Sequence, residues 1–142
     1  NVGLCYYKGQ GVKQDFTKAF EGYLKSANNG HVDAMYNVGF CYSTGQGVTQ
    51  DFTKAFEWYL KAANNGNVNA MGYVAVCYTY GNGVPQNEAQ TLYWLAKAKK
   101  SGSTEASDIL RQYLGHKLTE IGDKMSRNAM RLHHKPQICM IQ

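Results

Sequence analysis

Proline is almost absent, with two in 142 residues, and no apolar run approaches the roughly 18–20 residues of a membrane-spanning helix. Motifs that announce chemistry are missing as well. There is no G-x-S-x-G, no H-E-x-x-H and no Walker loop. Gly9-Gln10-Gly11, Gly45-Gln46-Gly47 and Gly81-Asn82-Gly83 read as turns, because a phosphate loop needs a lysine directly after its glycines. Acidic residues number ten, mostly at helix starts or on helix surfaces, and form no acid–base pair. Of the four histidines, His133 and His134 lie near Cys139, but this spacing matches no structural zinc site. The expectation is a protein with no cofactor, no metal and no enzymatic activity.

Charge is scarce where a nucleic-acid binder would need it. The net charge is +5, and four of those five fall in Ile109–Gln142, from Arg111, Lys117, Lys124, Arg127, Arg131 and Lys135 against Glu120 and Asp123. The rest is nearly neutral, whereas a nucleic-acid surface calls for a basic stripe. No nucleic-acid partner and no membrane insertion are expected.

What the chain has is a period. Asn37–Gly72 lies on Asn1–Tyr36 without a gap, identical at 27 of 36 positions. Tyr73–Asp108 follows in the same register, keeping Cys77, Tyr78, Gly81, Gly83, Val84, Trp94, Lys97, Ala98, Gly102 and Ala106. A fixed period of 20–50 residues signals stacked supersecondary units that bury their core between neighbours. The chain opens in mid-repeat, without counterparts of Val32–Tyr36 ahead of Asn1. The first repeat is therefore expected to be truncated, which leaves any export signal outside the sequence.

Each unit reads as a helix A, a glycine loop and a helix B. Ala70, Val74, Cys77 and Tyr78 have helical spacing before Gly81-Asn82-Gly83 breaks the pattern. Asp51 is an N-cap type, and Gly66 suits a left-handed helix end. Helices are expected over 15–28, 33–44, 51–64, 69–80, 87–100 and 104–114. Gly3 and Gly39 inside A helices cost about 1 kcal/mol each against alanine, so they point to close helix contact, with Ala75 as the third-unit counterpart. Tyr6, Tyr42 and Tyr78 are placed under the loops, and Val12, Val48 and Val84 are placed as loop plugs. Cys5, Cys41 and Cys77 share one offset; stacked helices lie about 8–10 Å apart, too far for a disulfide, so they read as small buried apolar residues.

The run A-x-x-N-V-G-x-C-Y-x-x-G-x-G-V-x-x-D-x-x-K-A-F-x-W-Y-x-K-A-A-x-x-G-x-x-x-A, from Ala34 to Ala70, resembles the Sel-one-like repeat (SLR) family, relatives of tetratricopeptide repeats. Departures are Val38 for the usual Leu, Gly22 in place of the tryptophan, and Asn87, Gln90 and Thr91 where Asp and Lys-Ala are usual. The resemblance implies an all-α, right-handed α-α superhelix of about three repeats over 1–108, whose surface binds protein and which carries no catalysis. Secreted members with two cysteines per repeat bridge A to B; this chain has one, which tilts towards a reducing compartment. The truncated start leaves a periplasmic location open.

After Asp108 the loop glycines are replaced by Lys117 and Thr119, while Leu110, Leu114, Leu118, Ile121 and Met125 continue an apolar stripe. A capping helix over 109–132, bent near Gly115 or Gly122, is expected to cover the end of the stack, followed by a flexible tail over 133–142. Variation between units points to a site. Asp33, Tyr36, Phe40 and Thr44 differ from their counterparts in neighbouring units and share one face of an A helix, beside Asn37. Their equivalents are Asn69, Gly72, Val76 and Tyr80 with Tyr73 beside them, then Glu105, Asp108 and Gln112. In tetratricopeptide-like stacks A helices line the concave groove, so these residues are the expected partner-binding set. The function expected is a non-enzymatic adaptor, scaffold or regulator that binds another protein or peptide. The alternatives are a bacterial immunity protein that neutralises a toxin, as in some members of the family, and a cell-wall or β-lactam hydrolase. The last needs a nucleophile–base pair or acidic pocket that the sequence does not display.

Overall fold

A computed structural model describes Gly3 and residues 15–133, and among these there is no strand. Six helices follow in order: α1 Phe16–Asn28, α2 Val32–Thr44, α3 Phe52–Asn64, α4 Val68–Tyr80, α5 Glu88–Lys100 and α6 Thr104–His133. The fold is an all-α solenoid in which α2, α4 and α6 are A helices and α1, α3 and α5 are B helices. Cys5, Tyr6, Val12, His134 and Cys139 lie outside the described residues, as does the expected tail apart from His133, which ends α6.

The boundaries follow from local chemistry. Asp15, Asp51 and Asn87 are extended N-caps whose side-chain oxygens accept from the amides of Lys18, Lys54 and Gln90 at 3.1, 3.0 and 3.1 Å. Asn87 thus does for α5 what the aspartates do for α1 and α3, because an amide oxygen satisfies a free N–H as a carboxylate does. A helices end at Gly45 and Gly81 in the left-handed conformation, φ 74° and 72°. B helices are followed by Gly30, Gly66 and Gly102, also at positive φ.

Packing joins α2 and α4 to the B helices before and after them, and α6 to the B helix before it. One cluster holds Ala19, Tyr23, Ala27, Ala34, Val38 and Cys41; the other runs from Ala55 and Tyr59 through Val74 and Trp94 to Ala106. Cys41 and Cys77 are buried free thiols, and burial pushes both up to about 11. The glycines inside A helices mark close approach as expected: a Cβ on Gly3 would stand 2.8 Å from the Tyr23 ring, and one on Gly39 2.8 Å from that of Tyr59. The second loop glycine has a different neighbour. A Cβ on Gly47 would overlap the Phe16 carbonyl, and one on Gly83 that of Phe52, so each loop rests on the first turn of the preceding B helix. Val48 packs against the first cluster. Tyr42 and Tyr78 meet Phe20 and Phe56 edge-on, each pair at 5.3 Å and 82°, so their contact is with the preceding B helix and not only with the loop.

The end of the stack differs from expectation. No break separates 104–114 from 109–132; α6 is one helix of 30 residues. Its first turns cover the last repeat, with Ala106 buried and Leu110 packed on the core. Beyond Tyr113 it does not fold over the stack: Leu114, Leu118, Ile121 and Met125 are exposed. The physical reason is the missing glycine pair. With Lys117 and Thr119 there, nothing stops the helix, and it runs on in line instead of turning back. No helix among the described residues is long and apolar enough to cross a membrane.

Candidate functional site

The variable face of the A helices contains two junctions of opposite character. Between α2 and α4 the space is filled by three tyrosines. Tyr59 and Tyr73 stack at 4.9 Å with planes 9° apart, and Tyr36 lies 5.8 Å from both. Ser43 Oγ sits 3.2 Å from the Tyr59 hydroxyl, and Asn67 Nδ2 donates to Asp33 Oδ1 at 3.3 Å, tying the starts of α2 and α4 together. Burial, with Tyr73 alongside, pushes the Tyr36 phenol up to about 12.

One period later the same three offsets hold Gly72, Leu95 and Ile109. Each replaces a ring by a smaller group, and the filled junction becomes an open groove of about 600 Å³ between α4 and α6. A Cβ on Gly72 would meet nothing within 4 Å. Ala75, Leu95 and Ala106 contribute apolar surface, and Tyr73, Val76, Tyr80 and Ile109 flank it with exposed apolar groups. Glu105 is the charged residue of the lining. Tyr80 is the most exposed of the flanking rings, at 69%.

The groove brings together six of the expected residues: Tyr36, Asn69, Tyr73, Val76, Tyr80 and Glu105. The others lie elsewhere on the same face. Asp33 is exposed and engaged by Asn67, Asn37 and Phe40 are half-buried on α2, and the Thr44 hydroxyl donates to the Phe40 carbonyl at 2.8 Å. Asp108 is exposed and pairs with Arg111 at 3.3 Å, and Gln112 is exposed. Sequence reasoning missed Leu95, Ile109 and Thr79 as lining residues. Ile109 could have been found by adding one period to Tyr73. Leu95 lies on a B helix, where the variable-face argument does not look. Among the described residues no group of histidine, cysteine and carboxylate side chains could hold a metal ion.

The paired helices, the left-handed glycines and the 36-residue period coincide with a family profile described as Sel1 repeat, which matches residues 1–31, 32–67 and 68–103. The chain belongs to the Sel1 repeat family. Proteins built of Sel1 repeats are in general protein-interaction modules. Among solved structures, a Sel1 repeat protein from Oxalobacter formigenes is 31% identical with a TM-score of 0.72, over 74% of this chain and 43% of that one. A protective antigen of uropathogenic Escherichia coli with an SLR fold is 31% identical with a TM-score of 0.74, over 76% and 23%. Helicobacter pylori cysteine rich protein B, at 24% identity and a TM-score of 0.68 over 75% and 79%, shares the fold. The chain thus spans less than half the length of the first two. No curated protein matches it.

Proposed function

We propose that this Sel1 repeat chain is a non-enzymatic interaction module that takes a segment of another protein into the groove between α4 and α6. The observation that carries this reading is the replacement of Tyr36, Tyr59 and Tyr73 by Gly72, Leu95 and Ile109 at equivalent offsets, which empties one junction while the other stays full. Exposed aromatic and aliphatic groups beside a vacated cavity are the usual anchors of an interface. With Glu105 as the charged lining residue, the segment that fits presents apolar side chains and is neutral or basic. Affinity capture from the native cells tests it, with the chain and its Tyr73→Ala/Tyr80→Ala variant as paired baits. A protein retained by the first and at least about tenfold depleted on the second supports the groove. Equal retention on both baits, with helicity unchanged, removes it.

A further inference from the structure

The part of α6 that leaves the stack carries a second surface. Leu114, Leu118, Ile121, Met125, Asn128 and Leu132 follow one another at alternating steps of four and three, which is the seam of a coiled coil. Its apolar members are all exposed, Leu118 at 70% and Met125 at 67%. Lys117, Lys124 and Arg131 stand seven residues apart along one flank, and Gly115, Gly122 and Ala129 along the other. Lys117 is held by Glu88 and Glu120, each at 3.5 Å; Lys124 and Arg131 have no ion pair among the described residues.

The small flank has a meaning within this molecule. Gly39 is the point where Tyr59 of the following B helix packs on its A helix, whereas a Cβ on Gly115 or Gly122 would meet nothing within 4 Å. Arg111 and Gly115 occupy on α6 the offsets of Gly39 and Ser43, the side on which α2 receives α3. No B helix follows α6 among the described residues. On that side α6 carries Arg111, paired with Asp108, where α2 has Gly39, and then no side chain at Gly115 and Gly122.

We propose that one amphipathic helix of another protein docks along this seam, acidic on the flank that meets Lys117, Lys124 and Arg131. A second copy is a poor occupant, because its flanks offer glycine, alanine or more lysine and arginine, never a carboxylate opposite the basic row. A membrane surface is a poor one too. A stripe confined to the seam is narrower than the apolar face of a helix that lies in lipid, and its small flank adds no apolar bulk.

The test uses the full chain and two synthetic helical peptides of three heptads, with leucine along the seam and either glutamate or lysine on both flanks. The glutamate peptide is expected to bind, less tightly as salt rises, and the lysine twin about tenfold more weakly. Lys124→Glu/Arg131→Glu should reverse the preference, and Leu118→Asp should abolish binding of both. Tyr73→Ala/Tyr80→Ala should leave binding intact, separating this surface from the groove. Equal binding of the two peptides overturns the proposal. So does a chain that dimerises through Leu118 in sedimentation, or one that binds phosphatidylserine vesicles more tightly than the glutamate peptide.

Discussion

The hydroxyl of Thr91 lies 3.2 Å from that of Thr79, and together they bridge α5 to α4 as Tyr59 and Ser43 bridge α3 to α2 one period earlier. The chemistry is kept while the residues change. Leu95 has lost the hydroxyl that Tyr59 supplies, and Thr91 provides one where the earlier unit has Ala55. Thr91 also reaches the carbonyl of Asn87 at 3.2 Å, which makes its burial tolerable. The third unit thus makes the equivalent bridge with a different pair of residues.

A coupled change predicts a coupled energy. Gly39→Ala drives a methyl into the Tyr59 ring, and the larger Gly39→Leu should cost about 1–3 kcal/mol. Pairing Gly39→Ala with Tyr59→Leu reproduces the Ala75 and Leu95 combination, so the double variant should cost less than the two singles summed. A double-mutant cycle in urea measures the difference. Strict additivity would count against the close-approach argument.

The loops offer a sharper contrast. Gly83→Ala combines a backbone at φ 73° with overlap on the Phe52 carbonyl, whereas Gly66→Ala, at φ 92°, meets nothing within 4 Å. The first should lower the unfolding midpoint well beyond the second, since both carry the left-handed penalty of about 1–2 kcal/mol but one adds a clash with backbone. Thermal melts of the pair decide it.

Filling the groove is a stringent check on its role. Gly72→Tyr places a ring where Tyr36 stands one period earlier and meets no obstacle at its Cβ. Helix content should hold or rise, because glycine costs about 1 kcal/mol in a helix interior. Capture of the groove partner should nevertheless fall by about tenfold or more. Undiminished capture by a stable Gly72→Tyr chain would rule out the cavity as the site.

Alkaline pH should loosen the stack. Cys41 and Cys77 are held at about 11 by burial, above the roughly 8.5 of an exposed thiol. The unfolded chain therefore loses these protons first, and stability that is complete below about pH 8.5 declines as pH climbs towards 11. Tyr36, held at about 12, adds to the decline only above about pH 10. Urea midpoints across this range should flatten in a Cys41→Ala/Cys77→Ala variant. An unaltered slope would assign the decline to other groups.

The first five helices were legible to within a residue, because caps and glycines act locally and the period repeats the message. Asp51 and Gly66 are readable without knowing what lies beside them. The groove was half legible. Tyr73, Val76 and Tyr80 announce an exposed apolar face, but the cavity depends on Leu95, a shortened side chain on a different helix, and shortening is visible only once Tyr59 is seen filling the equivalent space. The course of α6 was misjudged for a related reason. The stripe through Leu118 and Met125 says that a helix has an apolar side, and the nearest apolar surface is the end of the stack. Continuity of the backbone past Lys117 carries the stripe away from it.

The second glycine of each described loop rests on a helix start 31 residues behind it, Gly47 on Phe16 and Gly83 on Phe52, and the Tyr36–Tyr73 contact reaches 37 residues ahead. A unit thus has its partners in hand once the next A helix exists. At roughly 5–20 residues per second of synthesis, that is a wait of a few seconds at the ribosome. The chain can consolidate repeat by repeat while the rest is still being made, with one raw apolar edge at the growing end, passed forward from unit to unit.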